Sequence, residues 1–384
     1  MSLPTALAEA TEHQPRARLV LAAALAAGPA HAYLFRGPRG SGKRAAARAF
    51  AAEILAAGAE DPGGARRRAL LDPSPHPDLV WLVPRGSQHL VEEVREQVIR
   101  ASAYRPFEGS KRVFVIEQAE AMREESQNAL LKTLEEPPEF DHLLLLSAEP
   151  EALLETIVSR CQEVAFAALP SEAVAEQLAG WAAEPADEST GAGGELPAAE
   201  VAAAARLAGG DVERARFLLT EAGRKLREQA EVMARSATGS GANGAPWQPL
   251  LDTAEEAGTE SEREARERLD EAESGRRRSA RELGEEARRA GRRRRTEVLD
   301  FGLELCAAWL RDAGAVACGA PEVVLNRDRL DELTRTAGGL DALAARRGVE
   351  LVADTRRRLD LNVSEELALE ALYFRLQQAL GEGS

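Results

Sequence analysis

Cysteine is scarce in this 384-residue sequence, which contains only Cys161, Cys306 and Cys318. These residues are far apart and none belongs to a C-x-x-C pair. The sequence therefore predicts neither a disulfide framework nor a thiolate metal site, and no metal ligand set is assigned. Aromatic residues make up only 4% of the chain, so its cores must be built largely from Ala, Leu and Val.

Long apolar runs and an excess of positive charge are also lacking. No stretch of about 18 uncharged apolar residues occurs, so we expect no membrane-spanning helix. The first 15 residues lack the basic flank and apolar run of a secretory signal, which makes the cytoplasm the expected compartment. The formal net charge is -15. Such a chain is a poor candidate for holding DNA by itself, because neutralising phosphates requires a basic surface.

Apolar strands alternate with helical segments over residues 1–167. This alternation predicts an α/β domain whose largely parallel sheet is covered by helices. Helical spacing continues over residues 168–235, and a linker rich in Ser and Gly is predicted over residues 236–252. Residues 253–384 form a second helical region. Its first part, residues 253–295, is dense in charge and predicts an exposed helix.

The stretch GPRGSGKR is nearly a phosphate-binding loop between a predicted strand and a predicted helix. Gly37, Gly42 and Lys43 fit the pattern G-x-x-x-x-G-K-[ST], and Gly40 lies between the two glycines. Such a loop lets backbone N–H groups converge on phosphate oxygens at a helix N-terminus. Arg44, however, stands where a hydroxyl should ligate Mg²⁺, and guanidinium has no lone pair for a metal.

A second departure follows the apolar strand that ends at Ile116. Hydrolytic sites of this type place Asp-Glu there, whereas this sequence has Glu117 and Gln118. Glu117 could still reach a metal, but Gln118 cannot accept a proton from water. Arg44 could instead form a salt bridge with Glu117 and fill the metal site itself. The two departures predict no independent enzymatic activity. They leave open whether the loop is only a structural turn or binds ATP or ADP without hydrolysis.

Several linked motifs in one order carry a family resemblance: HAYLFRGPRGSGK, HPDLVWL, VEEVREQVIRASAYRPFEGSKRVFVIEQAEAM, NALLKTLEEPP and TIVSRCQ. Together they resemble the bacterial clamp-loader family of AAA+ proteins and, within it, the delta-prime type. The similarity is strong over about residues 12–170 and extends to the helical remainder only by pattern. It implies a RecA-like AAA+ domain with a P-loop, a helical lid domain, and an all-α collar domain that mediates oligomerisation.

The resemblance also implies a role in DNA replication. Clamp loaders are open rings of five subunits that open the sliding clamp and load it onto primer–template DNA. The partners implied are motor subunits of the gamma/tau type, a delta subunit and, through the complex, the clamp and DNA. The delta-prime type typically lacks a working ATPase site. An ATPase motor of the gamma/tau type is the alternative, and an independent nucleic-acid-binding protein is disfavoured by the net charge.

The family's SRC motif corresponds to Ser159, Arg160 and Cys161 of this sequence. The resemblance implies that Arg160 is an arginine finger that reaches the ATP of a neighbouring motor subunit. The alternative is an arginine that caps a helix C-terminus. Cys161 is predicted to pack rather than react. Ser147 lies at the sensor-1 position, and the sequence does not distinguish that role from an ordinary hydroxyl at a strand end.

Two further family features are altered or absent. Clamp-loader subunits often carry a four-cysteine zinc module after the P-loop helix, but residues 54–78 contain no cysteine, so zinc is not expected. Glu213 falls where motor subunits carry the sensor-2 arginine, with Arg214 beside it. The basic run Arg288–Arg295 could contact nucleic acid or could pair with the acidic half of its own segment.

Overall fold

The computed structural model describes residues 3–84, 88–182, 196–239, 244–272, 280–359 and 363–381. The chain divides into two compact units, Met1–Leu169 and Pro170–Ser384. The first boundary lies close to the predicted end of the α/β domain. The further division of the second unit into lid, linker and collar remains a prediction.

The first unit is built on a five-stranded sheet whose paired strands are all parallel. The strands are β1 (Ala32–Arg36), β2 (Leu79–Leu82), β3 (Arg112–Ile116), β4 (Asp141–Ser147) and β5 (Gln162–Ala165). Their order across the sheet is β2-β3-β4-β1-β5. This topology confirms the predicted α/β class with a parallel sheet.

Seven α-helices accompany the sheet in the described part of this unit. They are α1 (Thr5–Ala10), α2 (Pro15–Ala27), α3 (Lys43–Ala57), α4 (Pro62–Leu70), α5 (Val91–Val94), α6 (Glu124–Glu135) and α7 (Glu155–Val158). A π-helical stretch, Arg95–Arg100, continues α5. Helix α4 occupies a segment rich in Pro and Gly, whose sequence pattern did not predict a helix. Its signals were Asp61, whose carboxylate accepts the Gly64 N–H, and Pro62 in the first turn.

Alternate strand residues point to opposite faces of the sheet. Tyr33 and Phe35 of β1 pack in one buried cluster with Phe50 of α3. Leu34 belongs to the opposite cluster, which contains Leu130 of α6. Both faces of the sheet are therefore covered by apolar side chains of the helices, as the apolar strands predicted. The many alanines of α3 let that helix lie close to the sheet.

Helices are the only regular secondary structure among the described residues of the second unit. Its α-helices are α8 (Ser171–Ala182), α9 (Ala198–Leu207), α10 (Val212–Leu218), α11 (Glu221–Thr238), α12 (Gln248–Ala272), α13 (Ala280–Ala317), α14 (Leu330–Ala337), α15 (Ala342–Leu359) and α16 (Glu365–Gly381). The predicted linker over residues 236–252 is narrower in the structure, because α11 continues to Thr238 and α12 begins at Gln248.

Where the structure describes the charge-dense stretch 253–295, it belongs to two packed helices rather than to one exposed helix. Helices α12 and α13 approach closely at Gly258 and Gly291. A Cβ on Gly258 would lie 2.9 Å from the Gly291 carbonyl oxygen, and one on Gly291 would lie 2.7 Å from the Gly258 carbonyl oxygen. Both glycines are therefore required by the close contact. Among the described residues, no helix is both long and apolar enough to cross a bilayer.

Candidate functional site

The predicted nucleotide-site residues meet at the carboxyl edge of the sheet. β4 lies between β1 and β3. The loop after β1, the Glu117–Gln118 pair after β3 and Ser147 at the end of β4 therefore share one edge. Arg36, the last residue of β1, is in register with Ser147. In open α/β sheets, ligands bind at this edge where the strand order reverses.

The glycines of the loop after β1 have conformations that only glycine adopts readily. Gly37, Gly40 and Gly42 have φ angles of 150°, 69° and 85°. A Cβ on Gly37 would lie 2.2 Å from the carbonyl oxygen of Phe166, which follows β5. Gly42 is the N-cap of α3. The backbone shape of a phosphate-binding loop is thus retained.

Lys43 is directed back onto the loop that precedes it. Its Nζ donates to the carbonyl oxygens of Gly37 at 2.5 Å and Pro38 at 2.7 Å, and lies 3.4 Å from Ser41 Oγ. The residue is buried. A phosphate that bound here would have to compete with these carbonyl groups for the ammonium.

Arg44 is paired with Glu117, the carboxylate that the sequence offers as a metal ligand. Its Nε lies 2.6 Å from Glu117 Oε1, and its Nη2 lies 2.8 Å from Asp72 Oδ2. Trp81 Nε1 donates to the same Glu117 Oε1 at 2.6 Å. The salt bridge between Arg44 and Glu117 considered from the sequence is therefore present. Sequence reasoning missed Trp81 and Asp72 as its partners.

A second arginine completes this cluster. Arg48 Nη2 lies 3.0 Å from Asp72 Oδ1, and its guanidinium lies 4.3 Å from the centre of the Trp81 ring. Burial lowers the pKa of Arg48, while the Asp72 carboxylate acts in the opposite direction. Two arginines thus hold Asp72 and the Trp81 ring beside Glu117. A divalent cation does not fit this arrangement, since it would stand beside two guanidinium groups and would have to compete with a guanidinium and an indole for Glu117 Oε1.

Gln118 and Ser147 contribute backbone geometry to the same edge. Gln118 has φ 49° and ψ 56°, a left-handed conformation that bends the chain after β3. The Ser147 carbonyl accepts the Gly37 N–H at 3.1 Å, and its hydroxyl accepts the Glu149 N–H at 3.1 Å. Ser147 therefore serves the strand end structurally, and its sensor-1 role remains a prediction.

Arg160 lies just after α7 and is paired within its own unit. Its Nη2 lies 2.6 Å from Glu135 Oε1 at the end of α6, and its Nη1 donates to the Thr156 carbonyl at 2.9 Å. About a third of the side chain is exposed. Neighbouring Cys161 packs against the apolar cluster under α6, and burial raises its pKa to about 12. A thiol with a raised pKa has little thiolate at neutral pH, and the packing of Cys161 agrees with the prediction from the sequence.

The sensor-2 region belongs to the second unit. Glu213 is exposed and pairs with Arg216 at 3.1 Å. Arg214 Nη1 lies 2.5 Å from Glu304 Oε2 of α13, and its guanidinium stacks on Phe301 at 4.8 Å. Arg214 thus ties α10 to α13.

The basic run on α13 is largely paired with carboxylates. Arg288 faces Glu262 of α12 at 4.0 Å, and Arg295 lies 2.7 Å from Glu365 of α16. Arg293 pairs with Glu297 along α13. These contacts favour the interpretation in which the run pairs with acidic residues of its own chain over a nucleic-acid contact.

No group of three or more His, Cys, Asp or Glu side chains that could hold a metal ion occurs within the described ranges. Residues 54–78, where relatives of the clamp-loader type often carry a zinc module, contribute α4 instead. Arg66 of that helix forms a two-point ion pair with Glu53 of α3, at 2.6 and 2.8 Å.

Comparison with known proteins gives consistent results over the first unit. A family model described as "DNA polymerase III, delta subunit" matches residues 14–170. The chain is 36% identical over 235 residues to DNA polymerase III subunit delta' of Pseudomonas aeruginosa, covering 58% of this chain and 69% of that protein. It is 33% identical over 153 residues to subunit delta' of Bacillus subtilis, covering 38% of this chain and 45% of that protein.

The similarity extends to another subunit type. Over 152 residues the chain is 36% identical to DNA polymerase III subunit tau/gamma of Haemophilus influenzae, covering 39% of this chain but only 22% of that protein. The percentage identity therefore does not distinguish the delta' type from the tau/gamma type. The coverage does, because the match extends over 69% of the Pseudomonas protein and only 22% of the Haemophilus protein.

Proposed function

This chain belongs to the delta-prime family of DNA polymerase III subunits, and on that premise we propose that it is a non-hydrolysing clamp-loader subunit. It braces the ring and donates Arg160 in trans to the ATP site of a neighbouring motor subunit. Its partners are gamma/tau-type and delta-type subunits, and through the complex it acts on the sliding clamp and primer–template DNA.

The observation that carries the proposal is the pairing of Arg44 with Glu117. A P-loop ATPase needs Mg²⁺ to bridge the phosphates and neutralise developing charge. Here the carboxylate that would hold the ion accepts from Arg44 and from Trp81, both at 2.6 Å. Gln118 supplies no general base beside it. Loss of the metal ligand and of the base together supports a subunit without turnover of its own.

ATP turnover by the purified chain tests this part of the proposal. We expect no Mg²⁺-dependent hydrolysis above that of a Lys43→Ala control. Robust turnover that depends on Mg²⁺ and disappears in the control would overturn it. The same assay addresses the gamma/tau-type motor, which the 36% identity to the Haemophilus protein keeps as a second candidate.

The arginine finger requires the assembled complex. Arg160 projects from the end of a short helix and retains about a third of its side-chain exposure, as a residue that contacts a neighbour must. A fixed guanidinium stabilises the charge of a phosphoryl-transfer transition state, with effects of roughly 10³–10⁵ in kcat in related systems. We expect Arg160→Ala to reduce DNA- and clamp-stimulated ATP hydrolysis while assembly survives. Unchanged stimulated hydrolysis would refute the finger.

A further inference from the structure

Glu135 holds Arg160 in a defined position. Its Oε1 lies 2.6 Å from Arg160 Nη2, and the Thr156 carbonyl accepts from Nη1 at 2.9 Å. Two of the five N–H donors of the guanidinium are used in these contacts. One contact engages each terminal nitrogen, Nη1 and Nη2, so both ends of the guanidinium are held.

The position of Glu135 is unfavourable for α6 itself. It is the last residue of that helix, where the carbonyl ends of the peptide dipoles disfavour a negative charge. A cation beside the carboxylate removes this disadvantage. Because the pair is substantially exposed on both sides, it contributes little to folding stability. Its placement is better explained by what it does for Arg160 than by what it does for α6.

Helix α6 supports the Arg160 segment at a second point, two turns earlier. Gln127 is buried, and its Oε1 accepts the Leu154 N–H at 2.8 Å, where α7 begins. Its Nε2 donates to the Ala152 carbonyl at 3.3 Å. Between these two points, buried Ile157 of α7 belongs to the same apolar cluster as α6. Helix α6 therefore fixes both the start of α7, through Gln127, and the Arg160 side chain after α7, through Glu135.

We propose that Glu135 is the positioning residue for the Arg160 finger: it orients the guanidinium toward the neighbouring subunit before the ring assembles. The inference rests on the proposed function of Arg160 and extends it to a second residue. An arginine that acts on a transition state gains from being oriented in advance, because a misplacement of about 1 Å can cost about 100-fold in rate.

The test uses the complex reconstituted with its gamma/tau-type and delta-type subunits and isolated by gel filtration. In Glu135→Ala we expect the kcat of DNA- and clamp-stimulated ATP hydrolysis to fall about 10-fold or more, with KM for ATP unchanged. Glu135→Gln, which keeps a side-chain oxygen acceptor, should recover part of the loss. Glu136→Ala is the matched control, since Glu136 is the next residue and is also exposed.

A double variant separates positioning from a structural effect. If Glu135 acts only through Arg160, then Glu135→Ala adds nothing in an Arg160→Ala background. A further loss in the double variant, an increase in kcat, or wild-type kcat in Glu135→Ala would each overturn the inference while the finger stands. Wild-type kcat in Arg160→Ala would overturn the finger itself, and the inference with it.

Discussion

Replacing Arg44 by threonine should restore a metal site that the wild-type chain keeps closed. The change removes the guanidinium from Glu117 and places a hydroxyl directly after Lys43, where P-loop proteins hold Mg²⁺. We expect Mg²⁺ to leave ADP affinity unaltered in the wild-type chain. In Arg44→Thr it should strengthen ADP binding at least about 10-fold, which corresponds to about 1.4 kcal/mol.

The structure indicates that this variant will fold. The Arg44 side chain is 54% exposed and pairs with Glu117, which is 14% exposed, and with Asp72, which is 50% exposed. Ion pairs with one half-exposed partner contribute at most about 1 kcal/mol. Trp81 still donates to Glu117 after the substitution, so the carboxylate is not left without a partner. The expected loss in the free energy of unfolding is therefore about 1 kcal/mol or less.

Calorimetric titration with ADP, once with Mg²⁺ and once with EDTA, measures the effect directly. Arg44→Ala removes the guanidinium without adding a hydroxyl and should respond to Mg²⁺ less than Arg44→Thr. Arg44→Lys keeps the charge and should not respond. Adding Trp81→Phe to Arg44→Thr frees the Glu117 oxygen further and should increase the response. The same ADP titration for Arg44→Thr in Mg²⁺ and in EDTA would refute the reasoning.

Three further predictions concern a loop glycine, two cysteines and a buried histidine. Gly37→Ala should lower the free energy of unfolding by about 2–3 kcal/mol, since the new Cβ would lie 2.2 Å from the Phe166 carbonyl oxygen; an unchanged urea midpoint would contradict this. Iodoacetamide at pH 8 should label exposed Cys318 much faster than Cys161, whose pKa burial raises to about 12; equal rates by mass spectrometry would argue against it. Burial lowers the pKa of His142 in the folded chain. As pH falls, the unfolded chain therefore takes up a proton on this imidazole before the folded chain does. The free energy of unfolding should then decrease as pH drops below about 6.5. His142→Asn should flatten the dependence of the urea midpoint on pH below that value, and an unaltered slope would be inconsistent with a neutral buried imidazole.

Local sequence patterns were sufficient for the sheet and for the family. The alternation of apolar strands and helices over residues 1–167 corresponds to the sheet of β1 to β5 and its helices. The linked motifs indicated the delta-prime type, which the family model and the Pseudomonas relative confirm. Strand, glycine-rich loop and helix are adjacent in sequence. Their geometry is therefore fixed by residues that can be read together, such as Gly37 and Gly42 with their positive φ angles.

The partners of the site residues were harder to predict, because they come from other strands and helices. Trp81 precedes Glu117 by 36 residues and reaches it only because β2 lies beside β3. Asp72 lies in the connection after α4, a helix that was itself missed. A parallel β2–β3 pairing, once assumed, would have placed Trp81 near the end of β3. Nothing local indicated Asp72.

The helical second unit shows the same limit. Its charge pattern predicted an exposed segment over residues 253–295, but the close approach of Gly258 and Gly291 brings α12 and α13 together. A glycine within an apolar helical pattern usually argues against predicting a helix there. Two of them facing each other instead allow two backbones to pack. The pairing of Arg288 with Glu262 across the helices depends on that contact.

The two arginines on which the proposed function depends are both paired with a glutamate of their own chain, yet their surroundings differ. Glu117 is 14% exposed and also accepts a hydrogen bond from Trp81, so water has little access to its pair with Arg44. Arg160 and Glu135 are 35% and 51% exposed, and water can replace either partner. Salt should therefore weaken the Arg160 pair much more than the Arg44 pair. Under the proposed function, the same kind of ion pair closes the site at Glu117 and leaves Arg160 accessible to a phosphate from a neighbouring subunit.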